Sequence, residues 1–243
     1  MVTASRLLHR RPFSSFGSRV AHLIAAPTLH DLYSRAALFS DSPAAVASAI
    51  VGEAIDYTSE YAVVKQRLHE QASATPSNYP DYFTIEDGTA ALVYALVRHA
   101  RPELAVEMGV ADGRSTQVIL SALDANGVGR LVSVDMKDDV GGAATGHPRW
   151  SLRVHSRERS DTQLRALLTE IGHPDLFFHD AGHSYYEQLG DYLAAWENMD
   201  SGGLLISDDV DHTWAFLDIA RLADAKPFVL MDRRKAVGAL IRP

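Results

Sequence analysis

The feature of this 243-residue sequence that most constrains its fold is the alternation of short apolar segments with longer amphipathic ones after residue 88. Short apolar segments bounded by turn residues are typical of buried strands, and the longer amphipathic segments between them are typical of helices. Such an alternation predicts a mostly parallel sheet that is covered by helices on both faces. The predicted strands are 104–108, 131–134, 150–154, 176–179, 204–207, 228–231 and 236–241, and the predicted helices are 88–99, 115–123, 161–171, 185–199 and 214–222.

The last two predicted strands are joined by a short turn at residues 232–234. This connection is too short for the crossover helix that parallel neighbours need, so the two strands must be antiparallel. The sequence therefore predicts an α/β fold with a doubly wound, mostly parallel sheet of seven strands, in which one strand near the edge is reversed.

The N-terminal third of the sequence has a different composition. Residues 19–70 are rich in Ala, Leu and Val and contain few helix breakers, which predicts helices, one of them starting with Ser42 as N-cap and Pro43 in its first turn. We therefore divide the chain into a helical cap or leader, residues 1–75, and a ligand-binding domain, residues 76–243. The basic residues 1–19 are compatible with an organelle transit peptide or with an ordinary basic leader or first amphipathic helix.

The composition argues against several classes of protein. The formal net charge of −8 disfavours a nucleic-acid partner, because binding to phosphates needs a basic surface. The absence of cysteine excludes disulfides, thiolate zinc sites and cysteine nucleophiles. No apolar run approaches the roughly 20 residues that span a bilayer. We expect a cytoplasmic protein that acts on a small molecule, and a homodimer is left open.

A glycine-containing loop, Glu107-Met-Gly-Val-Ala-Asp-Gly113, follows the first predicted strand of the sheet. Ligands of parallel sheets bind beyond the carboxyl ends of the strands. Gly109 allows a sharp turn and the close approach of a ligand, and Gly113 does the same where the next helix begins, with Ser115 or Asp112 as its cap. The dinucleotide pattern G-x-G-x-x-G is absent. Glu107 would repel a pyrophosphate and attract an amino group.

A second acidic residue, Asp135, stands at the end of the strand 131–134. A carboxylate in this position accepts hydrogen bonds from both hydroxyls of a ribose. Glu107, which suits an amino group, and Asp135, which suits a ribose, together favour S-adenosyl-L-methionine over NAD as the cofactor.

Two later strands also end in acidic residues: Asp180 follows the strand 176–179, and Asp208 and Asp209 follow the strand 204–207. Neighbouring parallel strands lie about 4.8 Å apart, so these three carboxylates are expected to meet at the ligand edge of the sheet. They repel each other unless a cation joins them. All-oxygen ligation suits Mg²⁺ or Ca²⁺, with Mn²⁺ as an alternative. Such an ion would bind an acceptor hydroxyl and lower its pKa.

Two histidines near these acids are candidate general bases. His183 lies three residues after Asp180 on the following loop, and the pKa of a histidine lies near neutral pH. His212, which follows Asp209, is the second candidate. The alternative for His183 is an ordinary histidine on a surface loop.

The ordered set of motifs resembles the class I S-adenosylmethionine-dependent methyltransferases, over about residues 84–243. The segment 107–113 is similar to their first motif, Asp135 to their acidic second-strand residue, and the final strand pair to their reversed hairpin. The resemblance implies a Rossmann-like fold and a methyltransferase domain over residues 76–243. It also implies an adenine contact at Ser156 or Arg157.

The segments Asp-Ala-Gly-His-Ser-Tyr and Gly-Gly-Leu-Leu-Ile-Ser-Asp-Asp narrow this resemblance to a subgroup of metal-dependent O-methyltransferases. That subgroup acts on natural products and saccharides, including macrolide sugars and mycobacterial polysaccharide precursors. The resemblance implies that Asp180, Asp208 and Asp209 bind Mg²⁺, that Asp180 also borders the cofactor, and that His183 or a nearby acid takes part in catalysis. The acceptor would be a hydroxyl group of a small molecule.

Three alternative functions are compatible with parts of the pattern. One is an NAD-type oxidoreductase, against which the missing dinucleotide pattern and Glu107 both argue. Another is a metal-dependent hydrolase that uses the three aspartates and His183, which would leave the glycine loop without a role. The third is a non-catalytic protein that binds the cofactor, which the acidic cluster disfavours.

Overall fold

The computed structural model describes residues 26–74, 78–80 and 84–243. It confirms the predicted α/β architecture, with eight strands in one sheet instead of seven, in the order β1-β7-β8-β6-β5-β2-β3-β4. The strands are β1 Leu38–Ser40, β2 Leu104–Met108, β3 Arg130–Asp135, β4 Trp150–Val154, β5 Leu176–His179, β6 Leu204–Ser207, β7 Phe228–Met231 and β8 Ala236–Ile241. The seven predicted strands are all present, and only the bounds of β3 differ, by one residue at each end.

The reversed strand is β8, which runs antiparallel to β6 on one side and to β7 on the other. Every other pair in the sheet is parallel. The start of β8 therefore lies at the same edge of the sheet as the ends of β6 and β7. Residues that precede β8 are brought to the edge where ligands of parallel sheets bind.

The helices are α1 Leu29–Arg35, α2 Pro43–Val51, α3 Thr58–Ala74, α4 Asp87–Ala100, α5 Arg114–Asn126, α6 Ser160–Ile171, α7 Tyr185–Asn198 and α8 Ala215–Leu222. The start predicted for α2 is confirmed, because Ser42 accepts a hydrogen bond from the backbone N–H of Ala45 and Pro43 occupies the first turn. A left-handed Gly52 ends this helix.

The helical prediction for residues 19–70 was wrong at β1. Leu38–Ser40 pairs in parallel with β7, and the backbone N–H of Ala37 donates to Pro227 O at 2.7 Å. Three residues are too few to carry a periodic pattern, and this strand is fixed by a partner almost two hundred residues away in the chain. The described part of the N-terminal segment thus completes one edge of the sheet. The predicted leader within residues 1–19 lies outside the described residues.

The strand side chains alternate between two hydrophobic clusters, one on each face of the sheet. Leu176 and Phe178 pack in one cluster and Phe177 in the other, as the two-residue period of a strand requires. Helices α2, α4 and α5 contribute to the first cluster, and α6, α7 and α8 to the second. Over the described ranges, no helix has the length and apolar character needed to cross a membrane.

Candidate active site

A cavity of about 480 Å³ opens at the carboxyl edge of the sheet. Its walls include residues at the ends of five parallel strands, with Asp209 after β6 among them, and the residue that precedes the reversed strand. They include 108–112 after β2, 134–137 after β3, 155–157 after β4, 180–183 after β5, and Lys235 before β8. The site therefore has the position that the parallel topology predicts.

The glycine loop passes so close to its neighbours that side chains are excluded. Gly109 has a φ of +89°, and a Cβ there would lie 1.9 Å from the backbone oxygen of Asp180. Gly113 has a φ of +86°, and its Cβ would lie 2.8 Å from Gly141 Cα. Both glycines are therefore required by backbone conformation and by space. The loop lies directly against the segment that carries the first aspartate of the acidic cluster.

Glu107 is completely buried and does not line the cavity, its Oε1 is buried without a hydrogen-bond partner, and its predicted contact with an amino group stays a prediction. Its Oε2 accepts hydrogen bonds from Thr116 at 2.8 Å and from Ser133 at 2.6 Å. Burial raises the pKa of Glu107. The side chain of Glu107 thus ties β2 to β3 and α5 beneath the loop. The sequence pattern does not distinguish a strand-end acid that faces a ligand from one that faces the adjoining helix.

The other predicted cofactor residues, Ser115, Asp135 and Ser156, all line the cavity. The carboxylate of Asp135 accepts hydrogen bonds from the backbone N–H groups of Val110, at 2.9 Å, and Lys137, at 3.1 Å. These contacts hold it at the mouth of the glycine loop, where an acceptor for ribose hydroxyls is expected.

The far end of the cavity contains polar residues that the sequence analysis did not identify, among them His155, Ser160 and Asp191. Asp191 accepts a hydrogen bond from Ser160 Oγ at 2.9 Å, and its other oxygen lies 3.3 Å from Nε2 of the buried His179. Burial lowers the pKa of His155. Asp191 lies within helix α7, where nothing in the local sequence marks an acid as facing a ligand.

The three predicted metal ligands converge. Carboxylate oxygens of Asp180, Asp208 and Asp209 all lie within 4.8 Å of one another. Burial, followed by repulsion from Asp208, raises the pKa of Asp180 well above its usual range, and burial raises the pKa of Asp208 to about 7. Asp209 has a φ of +52°, a conformation that non-glycine residues adopt at a cost of about 1–2 kcal/mol. A compact set of carboxylate oxygens fits a hard divalent cation.

Lys235 is a member of this cluster that the sequence analysis missed. Its ammonium Nζ lies 2.5 Å from Asp208 Oδ2 and 3.8 Å from Asp209 Oδ2. Burial acts to lower the pKa of Lys235, but the neighbouring acids, Asp208 first and then Asp180, raise it above its ordinary value. The cluster therefore contains one built-in positive charge beside three carboxyl groups.

Both candidate bases lie beside Asp209. His183 Nε2 is 3.5 Å from Asp209 Oδ2, His212 Nδ1 is 3.9 Å from Oδ1, and the two imidazole rings are 5.2 Å apart. Of these two histidines, only His183 lines the cavity. Burial lowers the pKa of His183, with partial compensation from Asp209. An imidazole at the cavity wall is placed to accept a proton from a bound ligand, which favours His183 over His212 on geometric grounds.

Comparisons with known proteins agree with this architecture. Residues 106–210 match a family model described as a methyltransferase domain, a range that runs from β2 to just beyond Asp209. No curated protein sequence matches the chain. The chain is therefore similar to methyltransferases in this segment and in its fold.

Three solved structures illustrate the likeness of fold. An O-methyltransferase from Bacillus cereus, in complex with SAH, aligns over 86% of this chain and 99% of its own, with 16% identity and a TM-score of 0.56. The SAH-bound methyltransferase PaMTH1 from Podospora anserina covers 78% and 98%, with 12% identity and a TM-score of 0.53. The O-methyltransferase TomG from Streptomyces achromogenes, in complex with SAM, covers 66% and 82%, with 14% identity and a TM-score of 0.52.

Proposed function

We propose that this chain is an S-adenosylmethionine-dependent O-methyltransferase that uses a divalent cation, Mg²⁺ first among the candidates, to methylate a hydroxyl group of a small saccharide or natural product. One observation carries the proposal. The backbone of Asp180 packs against Gly109 in the glycine loop, while the carboxylate of the same residue belongs to the acidic cluster. A single residue thus joins a cofactor loop to a set of cation ligands at the same edge of the sheet.

The cofactor half of the site would use backbone and carboxylate acceptors. Gly109 and Gly113 leave room for the ligand along the loop, Asp135 would accept from the ribose hydroxyls, and Ser156 and Asp191 would border the adenine. The bound cofactor would supply an electrophilic methyl group on a sulfonium. The solved relatives in complex with SAH or SAM support this assignment by their shared fold.

The acceptor half would use the acidic cluster and His183. Asp180, Asp208 and Asp209 would hold the divalent ion, whose chemistry is to lower the pKa of a hydroxyl that it binds. His183 lines the cavity, and burial lowers its pKa, which favours the neutral imidazole, so it would take the hydroxyl proton. Asp209 lies 3.5 Å from His183 Nε2 and would stabilise the imidazolium that forms.

The proposed acceptor class rests on the cavity and on the charge of the chain. The cavity has the volume of small-molecule sites, about 300–1,000 Å³ in general. The formal net charge of −8 suits a neutral acceptor better than a polyanion. One solved relative, TomG, is described as involved in tomaymycin synthesis, which favours a natural product. Cytoplasmic location and a homodimer stay predictions.

Two other functions have weaker support. A dinucleotide oxidoreductase needs a phosphate-binding loop, yet this loop lacks the G-x-G-x-x-G pattern. A metal-dependent hydrolase would use only the acidic cluster and His183. It would leave Asp135 and the constrained Gly109 without a function.

Titration calorimetry with S-adenosylhomocysteine and with NAD, each with and without Mg²⁺, separates these functions. We expect binding of S-adenosylhomocysteine and none of NAD. Turnover is then measured with S-adenosylmethionine and two acceptor panels, sugars and phenols, in the presence and absence of a chelator. A protein that binds NAD but not S-adenosylhomocysteine would exclude the methyltransferase. Full turnover in excess chelator would exclude the divalent cation and leave the methyl transfer standing.

A further inference from the structure

The turn between β7 and β8 delivers a lysine to the acidic cluster. Because β8 is reversed, its first residue lies beside the ends of the parallel strands, and Ala236 O accepts a hydrogen bond from Val210 N at 2.9 Å. The N–H of Ala236 in turn donates to Asp211 Oδ1 at 3.2 Å. These two contacts anchor the chain immediately after Lys235. The side chain of Lys235 is therefore directed to the cluster by the sheet itself, and 11% of it is exposed.

Lys235 contacts Asp208, the most deeply buried carboxylate of the cluster. Asp208 is completely buried, and its Oδ1 accepts the backbone N–H of Asp209 at 3.0 Å. Its Oδ2 lies 2.5 Å from Lys235 Nζ. Oδ1 of Asp208 thus has a backbone donor, while Oδ2 has the Lys235 ammonium as its ion-pair partner but lacks a hydrogen-bond donor. A divalent ion that binds Asp208 must share Oδ2 with the ammonium or displace it.

The charges of the cluster also indicate that a divalent ion and the Lys235 ammonium compete for Asp208. Three carboxylates carry three negative charges when ionised, and Lys235 offsets one of them at close range. Like charges repel strongly in a partly buried site, so a divalent ion and the ammonium destabilise each other there. Other cations on the cavity wall have different neighbours: Arg114 contacts Asp87, Arg157 contacts Glu187, and Lys137 lies over the Tyr79 ring. Within the described ranges, Lys235 is the lysine or arginine that lies within ion-pair distance of the cluster.

We propose that Lys235 is a tethered cation that competes with the divalent ion for Asp208, keeps the acidic cluster assembled when the ion is absent, and holds the affinity for the ion low. The proposal rests on the divalent-ion site of the proposed function. In this arrangement the ammonium leaves Asp208 when the ion binds. The chain then exchanges its metal readily and remains folded without it.

The test is calorimetric titration of Mn²⁺ and of Mg²⁺ into metal-free protein that has been saturated with S-adenosylhomocysteine. Lys235→Met removes the ammonium and keeps most of the stem, and Lys235→Gln is a second variant in case the first does not fold. Lys226→Met is the matched control, because it removes the same charge from an exposed position. We expect both Lys235 variants to bind Mn²⁺ at least about tenfold more tightly than the wild type, and the control to stay within about twofold.

Thermal unfolding supplies a readout that does not depend on turnover. Without divalent ions, the Lys235 variants are expected to unfold at a lower temperature than the wild type, and Mn²⁺ is expected to stabilise them by a larger increment. Equal or weaker Mn²⁺ binding by the Lys235 variants would overturn the proposal. If neither the wild type nor the variants bind a divalent ion while S-adenosylhomocysteine still binds, the tethered cation and the metal site both fail and the methyltransferase stands. Loss of S-adenosylhomocysteine binding in the wild type itself would instead contradict the proposed function.

Discussion

The backbone oxygen of Asp180 occupies the space in which a side chain at position 109 would stand, since a Cβ on Gly109 would lie 1.9 Å from it. Two strand ends thus meet without any side chain between them. The hydrogen bond from Asp180 N to Met108 O, at 2.8 Å, continues the β2–β5 ladder up to this contact. The loop for the cofactor and the first ligand of the cation site therefore depend on each other for their positions.

Gly109→Ala is expected to damage both halves of the site, because the added methyl group must displace the Asp180 backbone. We expect the affinity for S-adenosylhomocysteine to fall at least about tenfold, and the free energy of unfolding to fall by roughly 2–4 kcal/mol. Gly127→Ala is the matched control: Gly127 also has a positive φ, +71°, but nothing lies within 4 Å of its Cβ position. The control should lose about 1 kcal/mol through backbone strain alone and keep its affinity for the ligand. Calorimetry and chemical denaturation measure both quantities, and equal ligand affinities in the two variants would contradict the prediction.

Asp135→Ala is expected to weaken S-adenosylhomocysteine binding by about 10–100-fold, because hydrogen bonds to a charged acceptor contribute about 1.5–3 kcal/mol. The two backbone N–H groups that now hold the carboxylate, those of Val110 and Lys137, lose their partner as well. Asp138→Ala, which removes an exposed acid three residues further along, should leave the affinity unchanged. Comparable losses in both variants would show that net charge rather than the ribose contact is responsible.

The parts of this site that could be predicted from the sequence are those that depend on local patterns and on the regular geometry of a parallel sheet. The convergence of Asp180, Asp208 and Asp209 followed from one rule, that parallel neighbours end at the same edge. The alternation of buried residues also fixed the strands from β2 to β8. Each of these inferences uses the residues of one short segment and the regularity of a parallel sheet.

The features that the sequence did not reveal depend on contacts between distant parts of the chain. Lys235 reaches the cluster because the reversed strand β8 lies beside β6. The turn sequence predicts the reversal but does not reveal that β6 is the neighbour. Glu107 faces Thr116 and Ser133 beneath the loop, although its position at a strand end is compatible with either direction. The short strand β1 exists only because the edge of β7 is available to pair with it.

Asp208→Asn is expected to separate the cation from the cofactor. The substitution conserves the shape of a completely buried side chain but removes its charge, so divalent-ion binding and turnover are each expected to fall at least about 100-fold. Affinity for S-adenosylhomocysteine should change less than about twofold, because Asp208 does not line the cavity. Asp200→Asn, at an exposed position, is the control for the loss of one acid. A variant that retains full turnover would remove Asp208 from the metal site.

His183→Gln and His212→Gln distinguish the two candidate bases. Of these two histidines, only His183 lines the cavity. Its substitution should therefore lower kcat by about 10²–10⁴-fold while the KM for S-adenosylmethionine stays nearly constant. His212→Gln should reduce kcat by no more than a few-fold, although it lies 3.9 Å from the same Asp209. The two variants are matched in chemistry and in their distance from the acid. The opposite ranking in steady-state kinetics would assign the base to His212.

Glu187 lies on the wall of the cavity and forms an ion pair with Arg157. The free energy of unfolding in acid is a test of this ion pair. Glu187 Oε2 accepts hydrogen bonds from Ser184 Oγ at 2.6 Å and from Arg157 Nη2 at 3.1 Å, and these contacts, with Arg157 the larger cause, lower its pKa to about 2. Because the folded-state pKa lies below the ordinary value near 4.5, the stabilisation is present above about pH 4.5 and is lost as the pH falls towards 2.

Glu187→Gln should therefore cost about 1 kcal/mol at neutral pH, a modest value because Arg157 is two-thirds exposed and solvent screens the pair. The difference in unfolding free energy between the wild type and the variant should stay constant from pH 7 to about 5 and shrink steadily from 4.5 towards 2.5. Glu158→Gln, at an exposed position in the adjacent loop, should give no such pH-dependent difference. Chemical denaturation at closely spaced pH values measures the effect. A difference that grows rather than shrinks in acid would mean that the Glu187 carboxylate destabilises the folded chain.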